Sequence, residues 1–265
     1  MSDCISERQD GVLLIRFNRP AAMNAMGGTL MQEFDQALDE ARWDDRVRAV
    51  VVTGEGRGWC AGADLQAMAS GGSGEERHDV RAQALDPVGG AGRTIRRLNE
   101  LDIPVVAAVN GAAVGAGFGL CTACDIRIAS DQARFSTIFI KRAIGPDFGL
   151  SWHLPRLIGP EKAADLFYTG RMIGAAEALE LGLVLKVVPA DSLLPEAMDY
   201  AGVLAKQPPS ALTYTRRALR ASATNSLAQQ LELEWGNQKV ALGSPEFMEA
   251  ARAFIEKREP DFSKT

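Results

Sequence analysis

Two glycine-rich segments of the sequence could present backbone amides to a substrate. Residues 49–65 read AVVVTGEGRGWCAGADL, and residues 105–120 read VVAAVNGAAVGAGFGL. Each segment runs from an apolar strand candidate through a loop of small residues into the start of a helix. Such a turn leaves N–H groups unpaired at the positive end of the helix dipole. The N–H groups of Ala63 and Ala116 are the best candidate donors, because small side chains leave them accessible.

Two such donors, one from each loop, could hold a single developing oxyanion. The alternative is that both loops are ordinary tight turns, in which glycine permits a positive φ or a close approach between helix and strand. A nucleotide site is not indicated. The run GAAVGAG fits neither G-x-G-x-x-G nor a Walker loop, and no GK[ST] occurs in the chain.

The elements around these loops predict an α/β fold. Short apolar strand candidates alternate with helical patterns, and several are apolar throughout, as expected when both faces of a sheet are covered. The strand candidates are Val12–Phe17, Ala49–Thr53, Val105–Val109, Ile126–Ala129 and Val184–Val188. Beyond Pro208-Pro209 the strand signals end, and helices are predicted near 210–224, 226–242 and 245–257. We therefore divide the chain into an α/β core, 1–205, and a helical region, 206–265.

The composition of the chain argues against several classes of function. The chain has 265 residues, a formal net charge of −5 and only two histidines. A mildly acidic chain without a basic stripe argues against nucleic acid or an anionic membrane as a partner. No apolar run of about 18 residues is present, and the charged start MSDCISERQD predicts a cytoplasmic protein. Two histidines leave little room for a metal site, and we expect none.

Other polar and thiol groups have simple structural interpretations. Cys121-x-x-Cys124 is expected to be a pair of buried thiols, and Asp125 a buried hydrogen-bonding residue. Cys60 lies next to the first loop but lacks the basic partner that a nucleophile needs. The pair Arg216-Arg217 is expected on a solvated face. The polar segment 66–92, which contains His78, is predicted to be a mobile surface loop.

Five segments in order carry a resemblance to a known family. They are FNRPAAMNAM at 17–26, AVVVTGEGRGWCAGADLQAM at 49–68, IPVVAAVNGAAVGAGFGLCTACDIRIAS at 103–130, ARFSTIFIKRAIGPDFGLSWHLPRLIG at 133–159 and AFIEKREPDF at 253–262. Through them the chain resembles the crotonase (enoyl-CoA hydratase/isomerase) superfamily over essentially its whole length. The resemblance implies a crotonase/ClpP-like spiral of ββα units with a C-terminal helical trimerisation region. A homotrimer or a dimer of trimers is then expected.

The resemblance also implies the substrate and its contacts. An acyl-CoA thioester would place its carbonyl between two backbone amides, which map onto Ala63 and Ala116; coenzyme A would arrive as part of the substrate, with no separate cofactor. The residues implied to contact the CoA or acyl group are Met23, Ala25, Ala61, Gly62, Asp64, Leu65, Gly115, Phe139 and Trp152, with Phe254 and Lys257 from a neighbouring subunit.

The same alignment of motifs shows which carboxylates are missing. Hydratases of the family flank a water with two glutamates, and those positions fall here on Gly119 and Phe139. Asp147, in IGPDFG, resembles the base of the isomerase branches, although an aspartate there could instead serve as a helix N-cap.

We therefore expect an enoyl-CoA double-bond isomerase with Asp147 as the base. An enoyl-CoA hydratase and a catalytically silent CoA-thioester-binding protein remain as alternatives. A dehalogenase that uses Asp147 as nucleophile is less well supported, and no Ser-His-Asp set of a ClpP-like protease can be recognised around the two histidines.

Overall fold

The structure, a computed structural model, describes residues 2–69 and 85–262 of the chain. The strands are β1 Cys4–Gln9, β2 Val12–Phe17, β3 Ala49–Gly54, β4 Gly58–Cys60, β5 Val105–Val109, β6 Ala112–Val114, β7 Ile126–Ser130, β8 Arg134–Ser136, β9 Ile173–Gly174 and β10 Lys186–Val188. The helices are α1 Leu30–Trp43, α2 Leu65–Ala69, α3 Gly89–Glu100, α4 Ala116–Ala123, α5 Leu150–Ile158, α6 Pro160–Thr169, α7 Ala175–Glu180, α8 Leu193–Ala205, α9 Pro209–Ala221, α10 Leu227–Ala241 and α11 Pro245–Glu256.

Three consecutive β-β-α units build the core. Their first strands, β3, β5 and β7, lie side by side in a six-stranded sheet of order β1-β2-β3-β5-β7-β10. Their second strands, β4, β6 and β8, lie side by side in a four-stranded sheet of order β4-β6-β8-β9. Each unit ends in a helix, α2, α4 or α5. This repetition is the ββα spiral that the resemblance implied.

Both faces of the large sheet are covered at its central strands β3 and β5, which explains why every residue of these two strands is buried. On one face, Val51 and Val106 pack with Ala197 and Ala201 of α8. On the other face, alternate residues such as Val50 belong to the main core. Successive side chains of a strand point to opposite faces, so a strand covered on both sides needs apolar residues at every position.

The predicted strands and C-terminal helices are confirmed, with differences at their ends. The strand predicted at Val184–Val188 is limited to Lys186–Val188, because the N–H groups of Leu183 and Val184 bond to Ala178 in a turn. Residues 70–84, including His78, lie outside the described residues. The two ends of the loop predicted at 66–92 are helical, since α2 continues to Ala69 and α3 begins at Gly89.

The prediction of a solvated Arg216 is wrong. Its side chain is buried, and its Nε donates to Asp125 Oδ2 at 2.7 Å. Asp125 also accepts the Val105 N–H at 2.8 Å, so its predicted hydrogen-bonding role is confirmed, although the residue is half-buried and not buried as predicted. The guanidinium donates to the carbonyls of Leu98 and Leu101 at the end of α3. A cation is favoured at a helix C-terminus. Arg216 thereby joins α9 to the α/β core.

Within the described ranges, no helix is long and apolar enough to cross a membrane.

Candidate active site

A cavity of about 690 Å³ brings together the residues that sequence reasoning placed at the reaction centre. Ala63, Ala116 and Asp147 all line it, although 84 residues separate the first from the last. The two loops meet because the strands that lead into them, β4 and β6, are parallel neighbours: Gly58 pairs with Ala112 and Cys60 with Ala113. Loops that follow adjacent parallel strands leave the sheet at the same edge.

The N–H of Ala63 is turned away from its neighbouring chain segment. Ala63 forms a parallel bridge with Met26, whose N–H donates to Gly62 O at 2.7 Å and whose carbonyl accepts the Asp64 N–H at 3.3 Å. Bonds that flank Ala63 in this way leave its own N–H and carbonyl on the opposite side. Among the described residues, that N–H has no acceptor, so it is available to a ligand.

The N–H of Ala116 is free for a different reason. Ala116 is the first residue of α4, where an N–H has no acceptor within its own helix. Its neighbour Gly115 is held by an N–H bond to Ser136 O at 2.9 Å. No acceptor for the Ala116 amide exists in the described part of the chain. The helix start therefore directs an unpaired donor into the cavity.

Gly62 allows the two loops to approach each other. Its φ is +88°, and a Cβ added there would lie 2.7 Å from Val114 O and 3.4 Å from the Ala116 nitrogen. Any side chain at position 62 would push the second loop away. The glycine is thus required by the close approach that places the two donors on one cavity.

Arg19 holds the first loop in place, a role that sequence reasoning missed. Its guanidinium donates to Ala25 O at 2.6 Å and to Asp64 Oδ2 at 2.9 Å. Asp64 Oδ1 in turn accepts the Ala67 N–H at 3.1 Å, at the start of α2. These bonds, first that of Ala67 and then that of Arg19, lower the pKa of Asp64. An aspartate at a helix start is a recognisable signal, but its partner is 45 residues earlier.

Asp147 differs from Asp64 in having no cationic partner among the described residues. The residue is exposed in the single chain, yet protein atoms surround its carboxyl closely enough that desolvation raises its pKa, against a smaller lowering by its own backbone N–H. The N-cap alternative is wrong, because Gly149 is the N-cap of α5 and no side chain caps that helix. Asp147 contributes only its backbone carbonyl, which accepts the Leu150 N–H at 3.0 Å.

The segment that carries Asp147 packs directly on Gly119. A Cβ added at Gly119 would lie 2.5 Å from Phe148 Cβ and 3.2 Å from Asp147 O. Phe148 has a φ of +48°, a left-handed conformation that is costly for a bulky residue and is sustained by its surroundings. A glutamate at position 119 is incompatible with this packing. The segment of Asp147 therefore occupies the space that a side chain at position 119 would need.

Phe139 and Trp152, predicted to shape the acyl pocket, do not line this cavity. Phe139 is buried, with its ring against Gly115, and lines a second cavity of about 390 Å³. Trp152 is 43% exposed, and the Arg156 guanidinium lies 4.1 Å from its ring centroid. The apolar side chains that do line the main cavity include Met26, Met31 and Phe148. Sequence reasoning missed these three because the helix and loop that bear them meet only in the folded chain.

The residues implied to contact CoA fall into two groups. Met23 lies beside the first loop, where its carbonyl accepts the Ala61 N–H at 3.1 Å, and Ala25 is the carbonyl partner of Arg19. Leu65 follows that loop and is exposed. Phe254 and Lys257 lie at the end of α11, with Phe254 86% exposed, and neither lines the cavity. Their implied role requires another subunit.

Thiol, imidazole and metal chemistry find no support among the described residues. Cys121 and Cys124 are buried, which confirms the expected buried thiols, and burial raises the pKa of Cys121 to about 12. Burial also raises the pKa of Cys60 to about 12, which makes it a poor nucleophile. Burial, with Arg127 and Arg156 nearby, lowers the pKa of His153 to about 4. Across residues 2–69 and 85–262, no cluster of histidine, cysteine or acidic residues could hold a metal ion.

The chain is similar, over nearly its whole length, to enoyl-CoA hydratases and isomerases. The family model described as enoyl-CoA hydratase/isomerase matches residues 7–265. The 1,2-epoxyphenylacetyl-CoA isomerase of Escherichia coli K12 is 34% identical over 99% of both chains, and the 2,3-dehydroadipyl-CoA hydratase of the same strain is 35% identical over 99% of both. The crystal structure of an enoyl-CoA hydratase from Bacillus anthracis superposes with a TM-score of 0.91, at 32% identity and complete coverage of both chains.

Proposed function

The chain belongs to the enoyl-CoA hydratase/isomerase family, and we propose that within it the protein is a double-bond isomerase of enoyl-CoA thioesters with Asp147 as its base. The family relationship supports an acyl-CoA enzyme in general. The choice of isomerisation depends on the cavity's own residues.

In the proposed reaction the thioester carbonyl oxygen accepts hydrogen bonds from the N–H groups of Ala63 and Ala116. The Asp147 carboxylate takes a proton from the carbon between the carbonyl and the double bond of a 3-enoyl-CoA, and the electron pair moves into a dienolate. Asp147 then returns the proton two carbons away, which gives the 2-enoyl-CoA. One base serves both steps, and the two amides stabilise the negative charge where it develops.

A comparison of the carboxylates on the cavity carries this proposal. Asp64 is bonded to Arg19 and to the start of α2, and its pKa is lowered, so it is a poor base. Asp35 and Asp39 face Arg97 at 2.7 and 3.5 Å. Of the four, Asp147 alone combines a raised pKa with the absence of a cation among the described residues. A carboxylate in that state is suited to proton transfer.

A hydratase needs a second carboxylate, because one group must activate the added water and another must supply the proton. The two usual positions are Gly119, which has no room for a side chain, and Phe139, which lies outside the cavity. Several relatives nevertheless carry hydratase names, among them those of 2,3-dehydroadipyl-CoA and of crotonyl-CoA. Hydration is therefore the second candidate, and the assay must distinguish the two reactions.

The proposed assembly is a homotrimer or a dimer of trimers in which a neighbour's Phe254 and Lys257 complete the CoA site, with CoA present only as part of the substrate. The large exposed apolar side chains of α10 and α11, among them Leu231, Phe254 and Ile255, support this, because exposed apolar surface in such amounts is typical of a protein–protein contact. Light scattering of the purified protein would give the mass; a monomer would contradict the proposal.

The assay compares products from two substrates. The purified protein is incubated separately with a 3-enoyl-CoA and a 2-enoyl-CoA of the same length, and the products are identified by chromatography. Formation of the 2-enoyl thioester from the 3-enoyl substrate supports isomerisation. Formation of a 3-hydroxyacyl thioester from the 2-enoyl substrate supports hydration instead. Tight binding of both thioesters without turnover would show a catalytically silent binding protein.

A further inference from the structure

One wall of the cavity is polar although the reaction at Ala63 and Ala116 does not require it. Two helices form this wall, and they also contribute Met31, Gly90 and Ala91 to the cavity lining. We define the α1–α3 wall as their polar cavity-lining residues. They are Gln32, Asp35, Gln36 and Asp39 of α1 and Arg93, Thr94 and Arg97 of α3. The α1 members recur at intervals of three, one and three residues, which places them on one face of the helix. The opposite face of α1, with Phe34 and Leu38, is buried in the core.

Asp35 is the centre of this wall. Its Oδ1 accepts the Thr94 hydroxyl at 2.8 Å, and its Oδ2 accepts from Arg97 Nη1 at 2.7 Å. Desolvation raises the pKa of Asp35 in spite of these two bonds. Its side chain is 23% exposed, so the carboxylate is accessible from the cavity but is poorly hydrated. A carboxylate in this state gains from one further hydrogen-bond donor.

The charges of the wall decide which group it accepts. Arg97 is already shared by Asp35 and Asp39, the second at 3.5 Å, and Arg93 is paired with Asp86. The cavity lining as a whole contains four aspartates and two arginines. An additional carboxylate would therefore meet like charge, whereas a plain hydrocarbon would displace water from these polar groups without replacing its hydrogen bonds. Both situations cost free energy.

Position along α1 places this wall away from the thioester. Met26, which bridges to Ala63, precedes α1, and Asp35 lies five residues beyond Leu30. At 1.5 Å per residue the offset along the helix axis is about 7.5 Å. A group that reaches Asp35 is thus several bonds from a carbonyl held between Ala63 and Ala116, a distance that an acyl tail can span.

We propose that the α1–α3 wall selects acyl-CoA thioesters whose acyl tail carries a neutral hydrogen-bond donor, such as a hydroxyl group, with Asp35 as the acceptor. This proposal rests on the proposed function only in placing the thioester carbonyl between Ala63 and Ala116. It concerns which acyl group binds and not which reaction follows.

The test is a binding measurement and does not require turnover. Three saturated acyl-CoA thioesters of equal length, ending in a methyl, a hydroxyl and a carboxylate group, are titrated into the wild-type protein by calorimetry. We expect the hydroxyl-terminated thioester to bind at least about tenfold more tightly than the methyl-terminated one, because a site built to bond a hydroxyl rejects an analogue that lacks it. The carboxylate-terminated thioester is expected to bind most weakly. Equal affinities for the hydroxyl and methyl ligands would overturn the proposal.

Two variants of Asp35 and one control variant test whether Asp35 causes the preference for the hydroxyl-terminated thioester. Asp35→Leu should remove the preference for the hydroxyl ligand, and Asp35→Asn, which retains an acceptor for Thr94 and so preserves the fold, should reduce it several-fold. Glu40→Gln makes the same carboxylate-to-amide change on α1 outside the cavity lining and should leave the preference unchanged. A preference that survives in both Asp35 variants would refute the assignment.

A final measurement separates the acyl tail from the pantetheine arm of CoA, which also carries polar groups. If Asp35→Asn weakened CoA itself and all three thioesters to the same extent, the wall would bind the arm, and the proposal would be wrong. We expect CoA affinity to be unchanged. Isomerase assays with the matching 3-enoyl thioesters then report on the proposed function separately, since their failure would leave the binding order intact.

Discussion

The two sides of the main cavity are built from different parts of the polypeptide. On one side, the amides of Ala63 and Ala116 are unpaired backbone donors, held by the strand pairing and helix start that carry them. On the other, Asp35 and Arg97 are side chains held by each other. The backbone donors should survive most exchanges of side chain, but they are lost when proline removes an N–H or when a Cβ is added where two loops are in contact. The side-chain pair is instead lost when either side chain is exchanged. Asp147 lies between these two cases, because it is a side chain that has no charged partner among the described residues.

The largest effect is expected from the unpaired carboxylate. Asp147→Asn removes the base without changing the volume of the side chain, and we expect isomerisation to fall by about 10²–10⁴. Binding of a saturated acyl-CoA should stay within about twofold. Steady-state kinetics and calorimetry on the same preparation measure both. Activity at the wild-type level in this variant would show that another group moves the proton.

The two backbone donors should be sensitive to proline, which removes the N–H, and insensitive to an exchange of side chain that keeps it. Ala116→Pro removes one donor at the first position of α4, where proline is well tolerated in a helix, and should lower kcat by about 10²–10³. Ala116→Gly keeps the N–H and serves as the matched control, with a loss expected to be below about tenfold. If both variants retained full kcat, the oxyanion assignment would have to be abandoned.

The rate of the wild-type enzyme should depend on pH through Asp147. The carboxylate must be ionised to accept a proton, so kcat/KM should rise with pH and level off above the pKa. Desolvation raises that pKa, so the fall on acidification begins at a higher pH than for an ordinary aspartate, and each further pH unit costs about tenfold. A profile that is flat down to pH 4 would contradict the assignment of Asp147 as the base.

The close packing under Asp147 gives a smaller effect on stability. Gly119→Ala places a Cβ against Phe148, and we expect a loss of about 1–3 kcal/mol in the free energy of unfolding, with reduced activity because Asp147 moves. Gly236→Ala, in α10 where an added Cβ meets nothing within 4 Å, is the matched control and should be neutral or slightly stabilising. Urea unfolding compares the two. Equal free energies of unfolding for the two variants would show that Phe148 can shift away from the added Cβ at little cost.

The smallest effect is expected from the support of the first loop. Arg19→Lys loses the simultaneous bonds to Ala25 and Asp64, and we expect kcat to fall by about tenfold, because a lysine does not reproduce the planar fork of an arginine. Arg16→Lys makes the same exchange on the preceding strand β2, outside the cavity lining, and is the control. A change confined to KM would indicate that Arg19 contributes to CoA binding and not to the position of Ala63.

Several features could be read from the sequence because they depend on local rules. The strands, the C-terminal helices and the two candidate amides follow from apolar patterns and from the general geometry of a strand-to-helix turn. The motif order identified the family and drew attention to Asp147. Arg216 shows the limit of such reasoning: a pair of arginines in a helix reads as solvated, yet one of the two is buried against the end of α3.

The sequence by itself determined which residues could supply donors and a base, because those properties belong to the residue type and its immediate neighbours. Only the tertiary structure decided which of them share a cavity. Pairing of β4 with β6 brings Ala63 and Ala116 to one edge, and the missing Cβ of Gly119 admits the segment of Asp147. Contact between α1 and α3 joins Asp35 to Arg97 across 62 residues. Such contacts depend on packing between distant segments, which no local pattern encodes.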